Sequence, residues 1–217
     1  MPERRSRGVI NFSARYYDLI VQWFVMRGKE QTFRSMTADI AHLQPSEEVL
    51  DIGCGTGTMA VAAKRRVGES GHVVGIDPSA QLLAGARRKA ARQGLTIDFR
   101  LAGVEELDFP DDSFDVAMGT FMIHHLPDDV IRRGLAELGR VLRPGGRLLL
   151  IDFKRPEDHH VRPERFGETA IGIQDLPPLL ETAGFSRLES GEMPFRIRSV
   201  SREHKSYGYV RAVRGSR

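Results

Sequence analysis

The stretch Glu48-Val-Leu-Asp-Ile-Gly-Cys-Gly-Thr-Gly-Thr-Met-Ala60 constrains this chain more than any other. It opens on an apolar run, Val49 to Ile52, broken only by Asp51. Such a run predicts a parallel strand buried on both faces. Gly53, Gly55 and Gly57 follow at alternate positions. Glycine lets the chain turn sharply and brings backbone close to a ligand. Thr58 to Arg66 is then rich in strong helix formers. Strand, glycine-rich turn and helix together predict a βα turn at the carboxyl edge of an open α/β sheet, where such folds bind ligands. Asp51 adds a demand of its own. A carboxylate buried without a partner is costly, so it calls for a cation or donor at the end of the strand.

The dinucleotide pattern G-x-G-x-x-G/A can be threaded from Gly55 through Gly57 to Ala60, but not from Gly53, where Thr58 falls on the last position. A nicotinamide-dependent oxidoreductase therefore stays open at this point. The 217 residues, 41% hydrophobic and 28% charged, predict one soluble globular domain. No run of 18 apolar residues offers a spanning helix, and no signal-peptide core follows the basic start Met1 to Arg7. Cys54 is the sole cysteine, so no internal disulfide forms and a cytoplasmic location is expected. Net charge is +3, and between Pro194 and Arg217 seven Lys and Arg stand against Glu203 alone. This tail reads as a solvated surface, with attraction to acidic lipid or nucleic acid the minority reading.

Taken in order, residues 1–45 predict a helical cap, with helices over Asn11–Met26 and Glu30–Leu43, belonging to the same domain as residues 46–217. Val49–Ile52 is the first strand and His72–Asp77 the second. A helix runs from Ala80 to Gln93, and Thr96–Leu101 and Phe114–Gly119 are further strands. Pro127 suits the first turn of a helix reaching Leu142. Arg143–Gly146 reads as a turn, Arg147–Phe153 as a fifth strand and Leu176–Ala183 as a helix. Two last strands fall near Phe185–Gly191 and Ser206–Val213. Alternating strands and helices of this kind predict a doubly wound α/β sheet.

Four segments, in order, carry a resemblance. Val49-Leu-Asp-Ile-Gly-Cys-Gly-Thr-Gly57, Val73-Val-Gly-Ile-Asp77, Val104 to Asp115 and Leu142-Arg-Pro-Gly-Gly-Arg-Leu148 resemble the motifs of class I S-adenosylmethionine-dependent methyltransferases. Within that superfamily they are most similar to the small-molecule enzymes of the ubiquinone and menaquinone-biosynthesis type. The resemblance spans roughly Arg34 to Phe153 and implies a Rossmann-like sheet of seven strands, mostly parallel with the last antiparallel, and S-adenosyl-L-methionine as cofactor. It implies that Gly53, Gly55 and Gly57 admit the methionine moiety, with Cys54 also among the cofactor-binding residues, Asp51 near the ammonium and Tyr17 of the cap closing over it. Asp77, followed by Pro78, would hold the ribose. Leu82 and Val104 would clasp adenine, and Thr120 would lie at the end of the fourth strand. Many relatives carry an Asp where Gly103 stands, so the adenine amine here is left to backbone, water or Glu105.

The activity implied is methyl transfer by in-line displacement to a small-molecule or lipid- and quinone-like acceptor, in a monomer or homodimer that does not bind nucleic acid. A non-catalytic S-adenosylmethionine-binding protein is the alternative. If the acceptor keeps its proton, His124 and His125 are candidate bases, because histidine titrates near neutrality. A structural role in the loop is the other reading of both. His159 and His160 have no cysteine nearby, and no metal is expected. The apolar excess of the helix Asn11–Met26, flanked by Arg4, Arg5, Arg7 and Arg27, leaves peripheral membrane contact as an option beside simple burial.

Overall fold

A computed structural model describes residues 30–155, 171–193 and 206–216. The helix expected at Asn11–Met26, Tyr17 and the pair His159–His160 lie outside the described residues. Seven strands form one sheet in the order β3-β2-β1-β4-β5-β7-β6. The strands are β1 (Glu48–Ile52), β2 (His72–Asp77), β3 (Asp98–Leu101), β4 (Phe114–Thr120), β5 (Leu142–Phe153), β6 (Phe185–Glu192) and β7 (Tyr207–Arg214). Pairing is parallel from β3 through β5, and β7 runs antiparallel to both of its neighbours. The predicted sheet, with its antiparallel last strand, is the one observed.

Among the described residues, five α-helices cover the two faces: α1 (Glu30–Ile40), α2 (Thr58–Val67), α3 (Ala80–Arg92), α4 (Asp128–Val141) and α5 (Leu176–Thr182). Strand alternation sends side chains to both faces. On one face Val49, Val73, Val116, Met118 and Leu149 pack with Phe33 of α1, Ala60 and Ala63 of α2 and Leu83 and Ala86 of α3. On the other, Leu50, Ile52, Ile76, Leu148 and Val210 meet Ile131, Leu135 and Leu138 of α4 and Leu176 and Leu180 of α5. Helix starts follow from local chemistry. Ser79 accepts a hydrogen bond from the Leu82 amide to cap α3. Asp128 and Asp129 occupy the first turn of α4, where negative charge complements the helix dipole.

Several boundaries differ by a residue or two from expectation, and two of the differences have a visible cause. The helix predicted over Glu30–Leu43 ends at Ile40, because His42 adopts φ +53° and the Leu43 amide turns back to the Ala38 carbonyl. Arg143–Gly146 is not a free turn. It enters β5 early as an irregularity, with Phe114 facing Leu142 and pairing resuming at Val116 and Arg147. The Asp115 carboxylate pins that irregularity, accepting from Arg143 and from the Glu48 amide.

Candidate functional site

Strand order reverses between β1 and β4, and a crevice opens there at the carboxyl ends of the strands. It holds a cavity of about 730 Å³, open to solvent on one side. The first wall is the glycine turn. Gly53, Gly55 and Gly57 all have positive φ, yet they serve different ends. A Cβ on Gly53 would strike Met122 at 2.8 Å, and one on Gly57 would strike Ala86 at 2.8 Å and Phe99 at 2.9 Å. A Cβ on Gly55 would meet nothing, so its open side faces the cavity.

Asp77, at the tip of β2, is 6% exposed and held on both oxygens. It accepts from the Gly55 amide at 2.9 Å and the Ser79 amide at 2.8 Å. Burial raises its pKa, and those two N–H groups oppose the shift. A carboxylate has about four lone-pair sites, so Asp77 keeps acceptor capacity on its cavity side. Pro78, Leu82, Val104 and Ile76 add an apolar slot beside it. Ala102, Gly103 and Glu105 continue that wall, and one oxygen of Glu105 is buried with no donor.

Asp51 does not line the cavity, although its neighbours Ile52 and Gly53 do. It lies 1% exposed on the face of α1 and α2. Its Oδ2 has no partner. Desolvation pushes its pKa up to about 7, against the pull of the nearby Arg34 cation and a hydrogen bond from the Ala60 backbone. Arg34 donates to the Thr120 hydroxyl at 3.1 Å, and Thr120 lines the cavity. The Cys54 thiol is buried in the core, where a Cβ on Gly75 would lie 3.0 Å from its sulfur, while its neighbours Gly53 and Gly55 line the crevice.

The loop after β4 forms the remaining wall with Phe121, Met122, His125 and Leu126. Phe121 holds φ +56°, an unusual conformation for a bulky residue and one often found at binding sites. His125 faces the cavity, whereas His124 stands behind it with ring centroids 3.9 Å apart. Nδ1 of His124 lies 2.8 Å from Oδ1 of Asp152, and Oδ2 of Asp152 accepts from the Ile123 amide at 2.7 Å. The sequence reading missed Asp152, Arg34 and Phe121. Asp152 carried a usable signal, a lone acid in an apolar strand, the same cue that singles out Asp51. Among the described residues, no three His, Cys, Asp or Glu side chains converge as a metal site.

A family profile described as a methyltransferase domain matches residues 49–146. The chain is 34% identical over 160 residues to the 2-phytyl-1,4-naphtoquinone methyltransferase of Nostoc sp. (strain PCC 7120 / SAG 25.82 / UTEX 2576), covering 73% of this chain and 69% of that protein. It is 35% identical over 150 residues to the ubiquinone/menaquinone biosynthesis C-methyltransferase UbiE of Vibrio vulnificus (strain YJ016), covering 68% of this chain but 56% of the relative. Among solved structures, a SAM-dependent methyltransferase from Aquifex aeolicus superposes with a TM-score of 0.64 at 22% identity, over 92% of this chain and 96% of that one. The [4+2]-cyclase SpnF superposes at 0.72 and 21% identity, over 86% and 81%. These two structural likenesses speak for the fold alone. Sheet order, antiparallel β7 and the crevice after β1 define a Rossmann-like transferase fold. With a 34%-identical relative covered over 69% of its length, the chain belongs to the class I S-adenosylmethionine-dependent methyltransferases.

Proposed function

We propose that this methyltransferase acts on an apolar, ring-bearing acceptor of the quinone-precursor type, and that the wall formed by Phe121, Met122, His125 and Leu126 receives it. The observation that carries this is the composition of that wall: three apolar side chains and one imidazole. A polar acceptor would leave its own groups unpaired there. Of the two relatives named above, one is by name a 2-phytyl-1,4-naphtoquinone methyltransferase and the other a C-methyltransferase of ubiquinone/menaquinone biosynthesis, which supports the same class.

The residues present fit the cofactor. Gly55 leaves open the space a side chain would fill, and Asp77 keeps acceptor capacity beside the apolar slot. S-adenosylmethionine, when bound, supplies a methyl group on a positively charged sulfur. Asp77 would accept from the ribose hydroxyls, Leu82 and Val104 would hold the base between them, and Gly53 and Gly55 would admit the methionine moiety. The Asp51 carboxyl and the Arg34 guanidinium stand behind the turn. His125 would take the acceptor's proton on its ring. Asp152, which can only accept when ionised, draws the proton of His124 onto Nδ1 and so fixes the ring against which His125 rests. The apolar wall excludes water from the acceptor side.

The test is a screen with S-adenosylmethionine and mass-spectrometric detection, pairing prenylated or alkylated hydroquinones and naphthols with small polar amines and acids. Methylated product from the ring-bearing panel supports the reading. Turnover confined to the polar panel would refute it.

A further inference from the structure

We infer that Glu137 and Arg140 of α4 are positioning residues for the cofactor: they clamp the loop after β3 so that Val104 closes the apolar slot, and in this way set the affinity of a crevice that neither of them lines. The inference rests on the reading of that slot as the cofactor's and adds the residues that keep its wall in place.

Residues 102–113, between β3 and β4, form neither strand nor helix. A buried stretch without a ladder must send its backbone groups to other partners. At its start the Ala102 amide donates to the Asp77 carbonyl at 3.3 Å. Further on, α4 supplies the partners. Oε2 of Glu137 accepts from the Leu107 amide at 2.9 Å. Arg140 donates through Nη2 to the Leu107 carbonyl at 2.8 Å and through Nη1 to the Phe109 carbonyl at 2.7 Å. One helix thus holds both polar groups of Leu107. The two side chains also hold each other, since Nε and Nη2 of Arg140 donate to the two oxygens of Glu137, both at 2.8 Å. A fork of this kind fixes direction as well as distance. The same hydrogen bonds hold the Glu137 carboxyl below its ordinary pKa, so it is ionised and only accepts.

Gly134 shows what the clamp serves. A Cβ on Gly134 would strike Cγ1 of Val104 at 2.8 Å and Cγ2 at 3.0 Å, so Val104 rests on bare helix backbone. Gly134, Glu137 and Arg140 recur every three residues and share one side of α4. Val104 is 6% exposed and lines the cavity. The wall is therefore set from behind, by contact with α4 at Val104 and by hydrogen bonds to α4 three residues later. A partly exposed ion pair adds little to stability as such. What this pair adds is the path of the chain that carries Val104.

The experiment is calorimetric titration with S-adenosylhomocysteine at a temperature where circular dichroism shows each variant folded. The chain is compared with Glu137→Ala, Glu137→Gln and Arg140→Lys, and with Arg133→Ala, which breaks an exposed pair with Asp129 on the same helix. Glu137→Ala and Arg140→Lys should weaken binding by about 10-fold. Glu137→Gln keeps an oxygen for the Leu107 amide and should stay within about threefold of the natural chain, and Arg133→Ala within about twofold. The loss should run through Val104. With Val104→Ala already in place, Glu137→Ala or Arg140→Lys should cost less than about threefold more, because the side chain being positioned is gone. A role in folding alone would lower the melting temperature and leave the dissociation constant of the folded protein unmoved. Glu137→Ala decides, or Arg140→Lys where Glu137→Ala does not fold. Unchanged affinity in the deciding variant, or an undiminished loss on top of Val104→Ala, would overturn the inference while leaving the cofactor reading intact. No binding of S-adenosylhomocysteine by the natural chain would overturn both.

Discussion

Asp51 couples the fold to pH through one buried carboxyl group. Its unfolded value is near 3.8 and its folded value about 7, raised by desolvation. Between those values the native state holds the extra proton, so stability is fullest below about pH 4 and falls as pH rises through 7. At about 1.4 kcal/mol per pKa unit, the contribution lost is at most roughly 4 kcal/mol. We predict that the ligand-free melting temperature drops more between pH 5 and pH 8 in the natural chain than in Asp51→Asn. A parallel pH dependence in the two would show that Asp51 ionises without cost. Asp77 differs in having both oxygens already engaged by amides. Asp77→Ala should weaken S-adenosylmethionine binding by about 10- to 100-fold, as expected for a charged hydrogen bond. An unaltered dissociation constant in a folded variant would remove the ribose assignment. His125→Ala should lower kcat with the identified acceptor and leave cofactor affinity within about twofold. A loss in affinity with kcat intact would move His125 from the acceptor side to the cofactor side.

At the scale of the element, the glycine turn separates two uses of one residue type. Gly57→Ala should destabilise the fold, since its Cβ strikes Ala86 and Phe99. Gly55→Ala meets no protein atom, so beyond about 1–2 kcal/mol for its left-handed backbone its cost should appear in cofactor affinity. Thermal unfolding with and without S-adenosylmethionine tests the pair. Equal loss of ligand stabilisation in both variants would deny the distinction. Periodicity and turn chemistry made this element legible in sequence, because Val49 to Ala60 states strand, turn and helix locally. The separate duties of the glycines were not legible, since each is set by a residue distant in the chain. The loop after β4 shows the same limit. His124 and His125 stood out by chemistry, but their assignment to different depths depends on Asp152, 28 residues after His124. The burial of the Cys54 thiol in the core was likewise not legible, since it is set by packing against residues distant in the chain.

For the molecule as a whole, residues 1–29 lie outside the described residues. No helix among the described residues is long and apolar enough to cross a membrane. We propose that the apolar stretch Leu19 to Met26 with its flanking arginines gives reversible contact with anionic bilayers, each Arg near the surface adding about 1 kcal/mol. The chain should float with anionic liposomes, and a Trp23→Glu, Phe24→Glu variant should not. Flotation unaffected by those substitutions, or none in the natural chain, would defeat this.

The position of β7 between β5 and β6 has a consequence for how the protein comes into being. During vectorial synthesis β6 emerges before the strand it pairs with, because Tyr207–Arg214 follows it in sequence yet lies between β5 and β6. Until then β5 presents a bare edge of mostly apolar residues, the kind of edge that recruits foreign strands. The apolar edge of β5 is thus covered only when a strand from later in the chain has been placed against it.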